Sequence, residues 1–197
     1  LYYSLKAFED SAVDEIVLVV GKGEEKFCRK EIVDKYGISK VKAIVEGGKE
    51  RYHSVFEGLK QTSDADYVLI HDGARPFVNQ DIIRRCMQEV QKYQACVVGM
   101  PVKDTIKIAD EEGYAKQTPD RKNVWMIQTP QTFSYALIYE AYEEMLKTED
   151  TAITDDAMVL ERIKGKKSKL IEGSYRNIKI TTPEDLLIAN VYLQHPE

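Results

Sequence analysis

An aspartate and an arginine follow directly on an apolar segment near the middle of the chain. The apolar residues end at Ile70, and His71-Asp72-Gly73-Ala74-Arg75-Pro76 comes next. In open α/β sheets, ligands bind beyond the carboxyl ends of the strands, where a carboxylate can hold magnesium and a guanidinium can bind phosphate. Asp72 and Arg75 are therefore candidate ligand-binding residues. The alternative is that they form an ion pair with each other in a solvated turn.

Further polar residues suit phosphate binding. They are predicted at strand ends or in loops, where hydroxyl, ammonium and guanidinium groups can contact a phosphate: Thr105, Lys107, Arg121, Thr129 and Lys179. No general base is obvious in the sequence. A reaction whose nucleophile is already an anion, such as a phosphate oxygen, needs only positioning and charge neutralisation. The pattern therefore favours chemistry on phosphate groups.

The histidines, serines and cysteines argue against other kinds of chemistry. His53, His71 and His195 are predicted in a helix, a strand and the C-terminal tail, so they do not predict a metal-hydrolase site. A serine hydrolase of the α/β type would need a Gly-x-Ser-x-Gly turn, which the sequence lacks. Three cysteines without Cys-x-x-Cys spacing indicate neither a disulfide framework nor a zinc site.

The composition indicates one domain in a reducing compartment. The chain has 197 residues and a formal net charge of -5, with both signs scattered, which argues against a nucleic-acid-binding surface. No apolar run approaches the roughly twenty residues of a membrane-spanning helix, and no signal peptide pattern opens the chain. We expect a soluble cytoplasmic protein that binds neither nucleic acid nor membrane.

Strands and helices are predicted in alternation through the first half of the chain. The predicted strands are 15–20, 41–45, 68–70 and 95–100, with helices between them. Asn79 is predicted to cap the helix before the last of these strands. This order predicts an α/β fold with a mostly parallel sheet. Cys86 and Cys96 fall on apolar faces and are predicted to be core residues.

A glycine pair precedes the helix that contains Ser54. Gly47 and Gly48 follow the second predicted strand, so the helix start lies close to flexible backbone. Free N–H groups at a helix start can receive the polar groups of a nucleotide. The alternative is an ordinary strand-to-helix turn.

The alternation breaks between residues 101 and 133. Residues 104–109 and 114–117, joined by a turn, predict a short polar hairpin. An isolated hairpin is marginal in water, so it must pack against its own sheet or against a second subunit. We favour an arm, about residues 101–128, that reaches into a second subunit.

The C-terminal part is predicted to hold three helices and two strands. The first helix covers 134–146, and the second begins with Thr154 as its cap and ends at Gly165. Strands are predicted at 169–171 and 178–180. The last helix begins at Thr182, which is followed by a proline.

Seven blocks, in order along the chain, resemble those of the 2-C-methyl-D-erythritol 4-phosphate cytidylyltransferases. The blocks are Gly47-Gly48-Lys49-Glu50-Arg51 with Ser54-Val55; His71-Asp72-Gly73-Ala74-Arg75-Pro76; Pro101-Val102-Lys103-Asp104-Thr105-Ile106-Lys107; Asp120-Arg121 with Trp125; Gln128-Thr129-Pro130-Gln131 with Phe133; Ile153-Thr154-Asp155-Asp156-Ala157; and Asn177-Ile178-Lys179-Ile180-Thr181 with Pro183-Glu184-Asp185. The resemblance runs from end to end of the chain.

This resemblance implies a Rossmann-like nucleotidyltransferase sheet and a homodimer joined by the hairpin arm. It also implies a magnesium-dependent reaction of the non-mevalonate isoprenoid pathway. In that reaction a phosphate oxygen of methylerythritol phosphate attacks the α-phosphorus of CTP, and pyrophosphate leaves.

The resemblance also implies roles for single residues. CTP is expected to contact Gly47, Gly48, Ser54, Asp72 and Gly73, with Asp72 as the ligand of Mg²⁺. Methylerythritol phosphate is expected to contact Arg75, Thr105, Arg121, Thr129, Thr154 and Lys179, some of them from the partner's arm. Lys179 and Arg121 are the expected catalytic residues, and Lys179 is expected to neutralise phosphate charge in the transition state.

Two departures from the family stand beside the resemblance. The family begins with a strand, a glycine-rich loop containing an arginine, and a Pro-Lys-Gln segment, none of which precedes Leu1 here. We expect the natural protein to have such a segment before Leu1. Lys49 stands where an acidic residue is common. The alternatives are an enzyme of the same family acting on ribitol 5-phosphate, or a catalytically silent module that binds nucleotide or dimerises.

Overall fold

A computed structural model describes residues 1–148 and 152–195. The strands are β1 (Ile16–Val20), β2 (Val41–Glu46), β3 (Tyr67–Ile70), β4 (Ala95–Pro101), β5 (Ile108–Ala109), β6 (Ala115–Gln117), β7 (Trp125–Ser134) and β8 (Lys169–Glu172). The α-helices are α1 (Tyr2–Glu9), α2 (Glu25–Cys28), α3 (Arg51–Leu59), α4 (Gln80–Tyr93), α5 (Tyr135–Met145), α6 (Asp156–Lys164) and α7 (Pro183–Gln194). Helix α2 continues as a π-helix, Arg29–Asp34, and a 3₁₀ turn spans Arg121–Asn123.

The sheet is mostly parallel, as predicted. Four strands pair in the order β3-β7-β4-β8, and a separate parallel pair joins β1 to β2. Strands β3 and β4 both run antiparallel to β7, while β8 runs parallel to β4. Three strands of the four-stranded sheet therefore share one direction, and only β7 opposes them. All three of these bring their carboxyl ends to the same edge.

A groove separates the two sheets. In the part of the chain that the structure describes, β1 pairs only with β2, and β3 pairs only with β7. Both strands contribute to the lining of one cavity of about 1340 Å³. Leu18 and Val68 are among its apolar lining residues, and Asp72 and Gly73 line it just beyond the end of β3. The groove thus extends to the predicted site.

The core lies on both faces of β4, whose first six residues are buried. Val97 belongs to a cluster with Phe133, Ile138 and Leu160, which come from β7, α5 and α6. Its neighbour Cys96 belongs to a second cluster, which is built mainly on α4. Successive side chains of a strand point to opposite faces, so β4 is covered by helices on both sides. The edge where β3 ends therefore rests on a packed centre.

Several predicted boundaries are confirmed. Asn79 caps α4 by accepting a hydrogen bond from the backbone of Ile82, and Gly165 ends α6 in the left-handed conformation, with φ of 61°. Thr182 begins α7 with a capping box and a proline in its first turn. The hairpin is present as β5 and β6. The predicted core cysteines, Cys86 and Cys96, are both buried.

Two local predictions are wrong. The segment 178–180 forms no strand; it contacts the end of β3 through a hydrogen bond from the Ile180 N–H to the Ala74 carbonyl. Thr154 does not cap α6, because the Asp155 carboxylate accepts the hydrogen bond from the Met158 N–H instead. The partner of 178–180 lies far away in the sequence, whereas Asp155 lies next to Thr154 and is an equally suitable cap.

Among residues 1–148 and 152–195, none of the helices combines the length and the apolar character that crossing a membrane requires.

Candidate active site

Three cationic side chains surround the carboxylate of Asp72, just beyond the end of β3. Arg51 Nε lies 3.2 Å from Asp72 Oδ1. Lys179 Nζ and Arg75 Nε lie 3.1 and 3.7 Å from Oδ2. The Asp72 side chain is only 15% exposed, so this is neither a solvated turn nor an isolated Asp-Arg pair. The sequence alternative of a solvated ion pair is corrected to a partly buried cluster.

The position of Asp72 on the chain explains this concentration of charge. Strand β3 delivers it to the sheet edge, helix α3 begins at Arg51, and the 178–180 segment brings Lys179 from the other end of the chain. Burial by itself raises the pKa of Asp72, but Arg51 and Lys179 outweigh burial and hold that pKa below its ordinary value. Asp72 is therefore a carboxylate at neutral pH.

Arg51 also joins Asp72 to the protein interior. Its Nη1 and Nη2 donate to the two oxygens of Asp156, both at 2.8 Å. Asp156 is fully buried and accepts a further hydrogen bond of 2.6 Å from the Tyr142 hydroxyl. Burial disfavours the charged Arg51, but the hydrogen bonds and charge of Asp156 more than compensate and raise the pKa of Arg51. A buried aspartate with this set of donors needs no further partner.

The side chains of Thr129 and His71 form a chain of hydrogen bonds that begins at the backbone N–H of Asp72. The Asp72 N–H donates to Thr129 Oγ1 at 3.1 Å, so the Thr129 proton is free to go to His71 Nδ1, which lies 3.0 Å away. His71 Nε2 lies 3.1 Å from the Arg75 carbonyl, to which it can only donate. This arrangement assigns His71 the neutral tautomer with its proton on Nε2.

The glycine pair lies on the other side of the same cavity. Gly48 donates its N–H to Ser54 Oγ at 3.1 Å, and Ser54 Oγ is also 3.2 Å from the Glu50 carbonyl. A side chain at Gly47 would meet Ser54 Oγ at 2.6 Å, and one at Gly48 would meet His53 Cβ at 2.3 Å. Ser54 therefore holds the loop in shape, and glycine is needed at both positions.

The side chain of Arg75 is mostly buried and hydrogen-bonded to the protein backbone. Its Nη1 donates to the Asn177 carbonyl at 2.8 Å, and its side chain is 12% exposed. Asn177 is fully buried and donates its side-chain N–H to the Thr129 carbonyl at 2.9 Å. These bonds attach the segment carrying Lys179 to β7. Arg75 therefore positions a neighbour of the site as well as facing Asp72.

The structure brings together some of the predicted residues. The cavity between β1 and β3 is lined by all five residues predicted to contact CTP: Gly47, Gly48, Ser54, Asp72 and Gly73. Lys179 joins this set through Asp72. All five residues predicted to bind CTP thus share a surface.

The other residues predicted to contact the substrate do not line this cavity next to Asp72. The hydroxyl of Thr129 is buried and hydrogen-bonded to the Asp72 N–H and His71 within the protein, and its contact with substrate stays a prediction. Thr105, Arg121 and Thr154 are exposed. Arg121 Nη1 donates to the Lys103 carbonyl, and Thr154 Oγ1 faces Met158. No hydrogen bond or ion pair joins these three to Asp72 in the described part of the chain.

Sequence reasoning missed four residues of this site: Arg51, Tyr142, Asp156 and Asn177. Arg51, Asp156 and Asn177 lie inside the blocks that carry the family resemblance, which is a signal that could have found them. Tyr142 follows an ordinary apolar helical pattern, so nothing local marks its buried hydroxyl.

The acidic, histidine and cysteine side chains form no cluster of three or more that could hold a metal within residues 1–148 and 152–195. Asp72 is therefore part of no such cluster among these residues. Mg²⁺ is commonly bound by one or two carboxylates together with substrate phosphates, and this arrangement fits that pattern rather than an all-protein cage.

Sequence comparison finds relatives along nearly the whole chain. The family model described as "IspD: 2-C-methyl-D-erythritol 4-phosphate cytidylyltransferase" matches residues 1–195. A 2-C-methyl-D-erythritol 4-phosphate cytidylyltransferase of Lachnospira eligens is 53% identical over 196 residues, covering 98% of this chain and 86% of that protein. The protein of the same name from Alkaliphilus oremlandii is 51% identical and covers 98% and 81%.

Solved structures show the same likeness. The 4-diphosphocytidyl-2C-methyl-D-erythritol synthase of Anaerococcus prevotii matches with a TM-score of 0.90 at 38% identity, covering 98% of this chain and 85% of that one. The 2-C-methyl-D-erythritol 4-phosphate cytidylyltransferase of Thermus thermophilus matches with a TM-score of 0.81 at 32% identity, covering 98% and 87%. The predicted nucleotidyltransferase fold is confirmed.

The buried His71 predicts that acid destabilises the protein. Burial is the main cause that lowers the pKa of His71 from 6.5 to about 4. The unfolded chain therefore binds a proton that the folded chain excludes, so stability is lost as the pH falls from about 6.5 towards 4. Between pH 7 and pH 4.5 this group alone costs about 2–3 kcal/mol of unfolding free energy. Urea unfolding measures it.

The control is His71→Asn, whose amide oxygen can still accept from Thr129. Its unfolding free energy should depend less on pH over the same range, by about the amount assigned to His71. An identical pH dependence in the two proteins would contradict the neutral buried state of His71.

Proposed function

Because this chain belongs to the 2-C-methyl-D-erythritol 4-phosphate cytidylyltransferase family, we propose that the cluster around Asp72 is its catalytic site. The enzyme transfers a cytidylyl group from CTP to 2-C-methyl-D-erythritol 4-phosphate and releases pyrophosphate. The observation that carries the assignment of the site is the convergence of Arg51, Arg75 and Lys179 on one carboxylate beside the glycine loop.

The charge balance of the cluster suits phosphate chemistry. Three cations (Arg51, Arg75, Lys179) face two carboxylates (Asp72, Asp156), so one positive charge remains. A phosphate oxygen that attacks the α-phosphorus is already an anion, so the reaction needs no base. It needs cations aligned with the charge that develops at phosphorus. This explains why the sequence offers no obvious general base.

CTP is proposed to occupy the cavity between the glycine loop and Asp72. Helix α3 begins after Glu50 with no side-chain cap, so its first N–H groups are available to a polar group. The backbone at Gly47 and Gly48 can approach a ligand closely, because Ser54 holds the loop and no side chain intervenes. We assign Gly73, at the end of β3, to the same nucleotide surface.

Mg²⁺ is proposed to bind Asp72 together with the CTP phosphates. The fit depends on Oδ2, which now pairs with Lys179 and lies 3.7 Å from Arg75 Nε. The Lys179 side chain is 42% exposed, so it can turn to a phosphate and leave Oδ2 to the metal. The bound ion would neutralise triphosphate charge. Asp72 would hold that ion at the end of β3.

Lys179 is proposed to neutralise charge on the phosphates in the transition state. Arg75, whose Nη1 donates to the Asn177 carbonyl, and Thr129, whose hydroxyl is bonded within the protein, are proposed to shape the methylerythritol phosphate site rather than to grip the substrate alone. The remaining substrate contacts are assigned to the exposed residues Thr105, Arg121 and Thr154. Arg121 stays a proposed catalytic residue, because its exposed side chain is available to the substrate.

The arm is proposed to bring Thr105 and Arg121 to the site of a second subunit. Strands β5 and β6 are exposed along their whole length, and the side chains of Ile108 and Tyr114 are 46% and 71% exposed. A two-stranded hairpin with exposed apolar groups is marginal in water by itself. A partner that covers it would complete both substrate sites of a homodimer.

The homodimer is tested by sedimentation equilibrium of the full-length protein. We expect a dimer, and Ile108→Asp should shift the equilibrium towards monomer because it places a charge in the proposed interface. Lys92→Ala, on the exposed surface of α4, is the control and should stay dimeric. A wild-type monomer at all concentrations would refute the arm contact.

The reaction is tested by pyrophosphate release from the full-length protein with CTP, MgCl₂ and 2-C-methyl-D-erythritol 4-phosphate. We expect turnover with this substrate and at least a hundredfold lower kcat/KM with ribitol 5-phosphate, on the order of 3 kcal/mol in transition-state binding. Faster turnover of ribitol 5-phosphate would reverse the substrate assignment. No turnover of either would support a silent module.

Lys179→Ala should separate catalysis from binding. Removing a charge that acts mainly in the transition state should lower kcat by roughly 10²–10³-fold, while calorimetry should find CTP affinity changed only a few-fold. Lys92→Ala removes a lysine of an exposed ion pair on α4 and should leave both quantities at wild-type values. Equal losses in kcat and in CTP affinity for Lys179→Ala would assign it to ground-state binding.

A further inference from the structure

We propose that Arg51 is a positioning residue that holds the Asp72 carboxylate in one orientation through a buried network with Asp156 and Tyr142. The inference rests on the proposed function of Asp72. It adds residues outside the substrate and metal contacts already assigned. Its consequence is that one oxygen of Asp72 is fixed to the protein and the other is presented to the site.

The geometry of Arg51 supports two simultaneous tasks. Nη1 and Nη2 form the fork that grips both oxygens of Asp156 at 2.8 Å. The remaining donor, Nε, reaches Asp72 Oδ1 at 3.2 Å. The planar guanidinium keeps these three nitrogens in a fixed relation. Whatever fixes the fork therefore also fixes the donor that faces Asp72.

The buried end of the network is held by several elements. Asp156 is the first residue of α6 and is 0% exposed. Tyr142, from α5, donates its hydroxyl to Asp156 Oδ1 at 2.6 Å. The next backbone N–H, of Ala157, donates to the Gln131 side chain on β7 at 2.9 Å. Arg51 and Tyr142 thus hold the Asp156 carboxylate, and Gln131 holds the backbone beside it.

The two oxygens of Asp72 are consequently not equivalent. Oδ1 faces Arg51, while Oδ2 faces the half-exposed Lys179 and the nearby Arg75. A rotation of the carboxylate would break the contact to Arg51 Nε. We infer that the network selects Oδ2 as the oxygen that meets the CTP-bound cation. Groups that orient a metal ligand in this way commonly change metal affinity or activity by about 10–100-fold when they are altered.

A purely structural role is the competing explanation. The Arg51-Asp156 pair joins the start of α3 to the start of α6, so it could serve stability alone. In that case altered residues would lower thermal stability without any specific link to Asp72 or to magnesium. The experiment must therefore measure whether the effect of changing Arg51 depends on Asp72.

The first test is a double-mutant cycle between Arg51 and Asp72 in the full-length protein. Arg51→Lys keeps the charge and loses the fork, and should lower kcat by about 10–100-fold. In an Asp72→Asn background the same change should cost less than threefold, because an asparagine at this position offers no second carboxylate oxygen for Arg51 to hold towards the metal. Losses that multiply in the double variant would overturn the proposal. Arg84→Lys, in an exposed ion pair with Asp81 on α4, is the matched control and should show wild-type turnover in both backgrounds.

The second test measures CTP binding by calorimetry, with MgCl₂ and with EDTA. Arg51→Lys should weaken CTP binding with magnesium by about tenfold and leave it within twofold in EDTA, because Arg51 acts on the metal through Asp72. An equal weakening under both conditions would show that Arg51 contacts or shapes the nucleotide site directly, and would overturn the proposal.

Tyr142→Phe keeps the test informative if Arg51→Lys unfolds. It removes only the hydroxyl that fixes Asp156, and we expect a smaller kcat loss, about 3–10-fold, that again disappears in Asp72→Asn. A lowered melting temperature with wild-type kcat in Tyr142→Phe would assign the network to stability and overturn the proposal.

Failure of the underlying assignment gives a separate result. If Asp72→Asn itself keeps wild-type turnover and magnesium dependence, the proposed function of Asp72 is wrong. If Asp72→Asn is impaired but Arg51→Lys and Tyr142→Phe have wild-type kcat, only the positioning inference is wrong.

Discussion

The cost of placing charges in a partly buried position is the constraint on which this structure depends. An unpaired ion inside a protein is strongly unfavourable, and a buried pair is tolerated only when its remaining hydrogen bonds are made. The enzyme meets this condition by sharing Arg51 between two carboxylates and by supplying a tyrosine hydroxyl to the deeper one. Elements distant in sequence are therefore held together by the electrostatics of the site.

The α/β scaffold makes this sharing possible. Strand β3 ends at the edge where helix α3 begins, and β7 lies beside β3 with Thr129 beneath the Asp72 backbone. The packed centre around β4 gives this edge a rigid support. Strand β3 thus places Asp72 at the edge of the sheet, the start of α3 supplies N–H groups and Arg51, and the loops bring the other two cations, Arg75 and Lys179.

The sequence could predict the features that depend on neighbours in the chain. Asn79, Gly165 and Thr182 were recognised because a helix end has its own local chemistry. The family blocks located Asp72 and the glycine loop. Partners across the fold could not be read in this way, so Tyr142 and the internal hydrogen bond of Thr129 were missed. The residues around Lys179 alternate as a strand would, but none of the strands within residues 1–148 and 152–195 pairs with them.

Because residues 178–180 pair with none of the described strands, the backbones that carry Asp72 and Lys179 are held in different ways. Asp72 follows a paired strand and is held by backbone and side-chain bonds. The segment 178–180 is attached beside Asn177, which is bonded to Arg75 and Thr129, and by the Ile180 N–H, which donates to the Ala74 carbonyl in the loop after β3. Segments with few backbone bonds open at lower free energy than core strands, so their amides exchange with solvent faster. The site therefore combines a carboxylate that is 15% exposed with an ammonium side chain that is 42% exposed. In the mechanism proposed above, the Lys179 side chain would follow phosphate as bonds to phosphorus lengthen, while the carboxylate keeps its place.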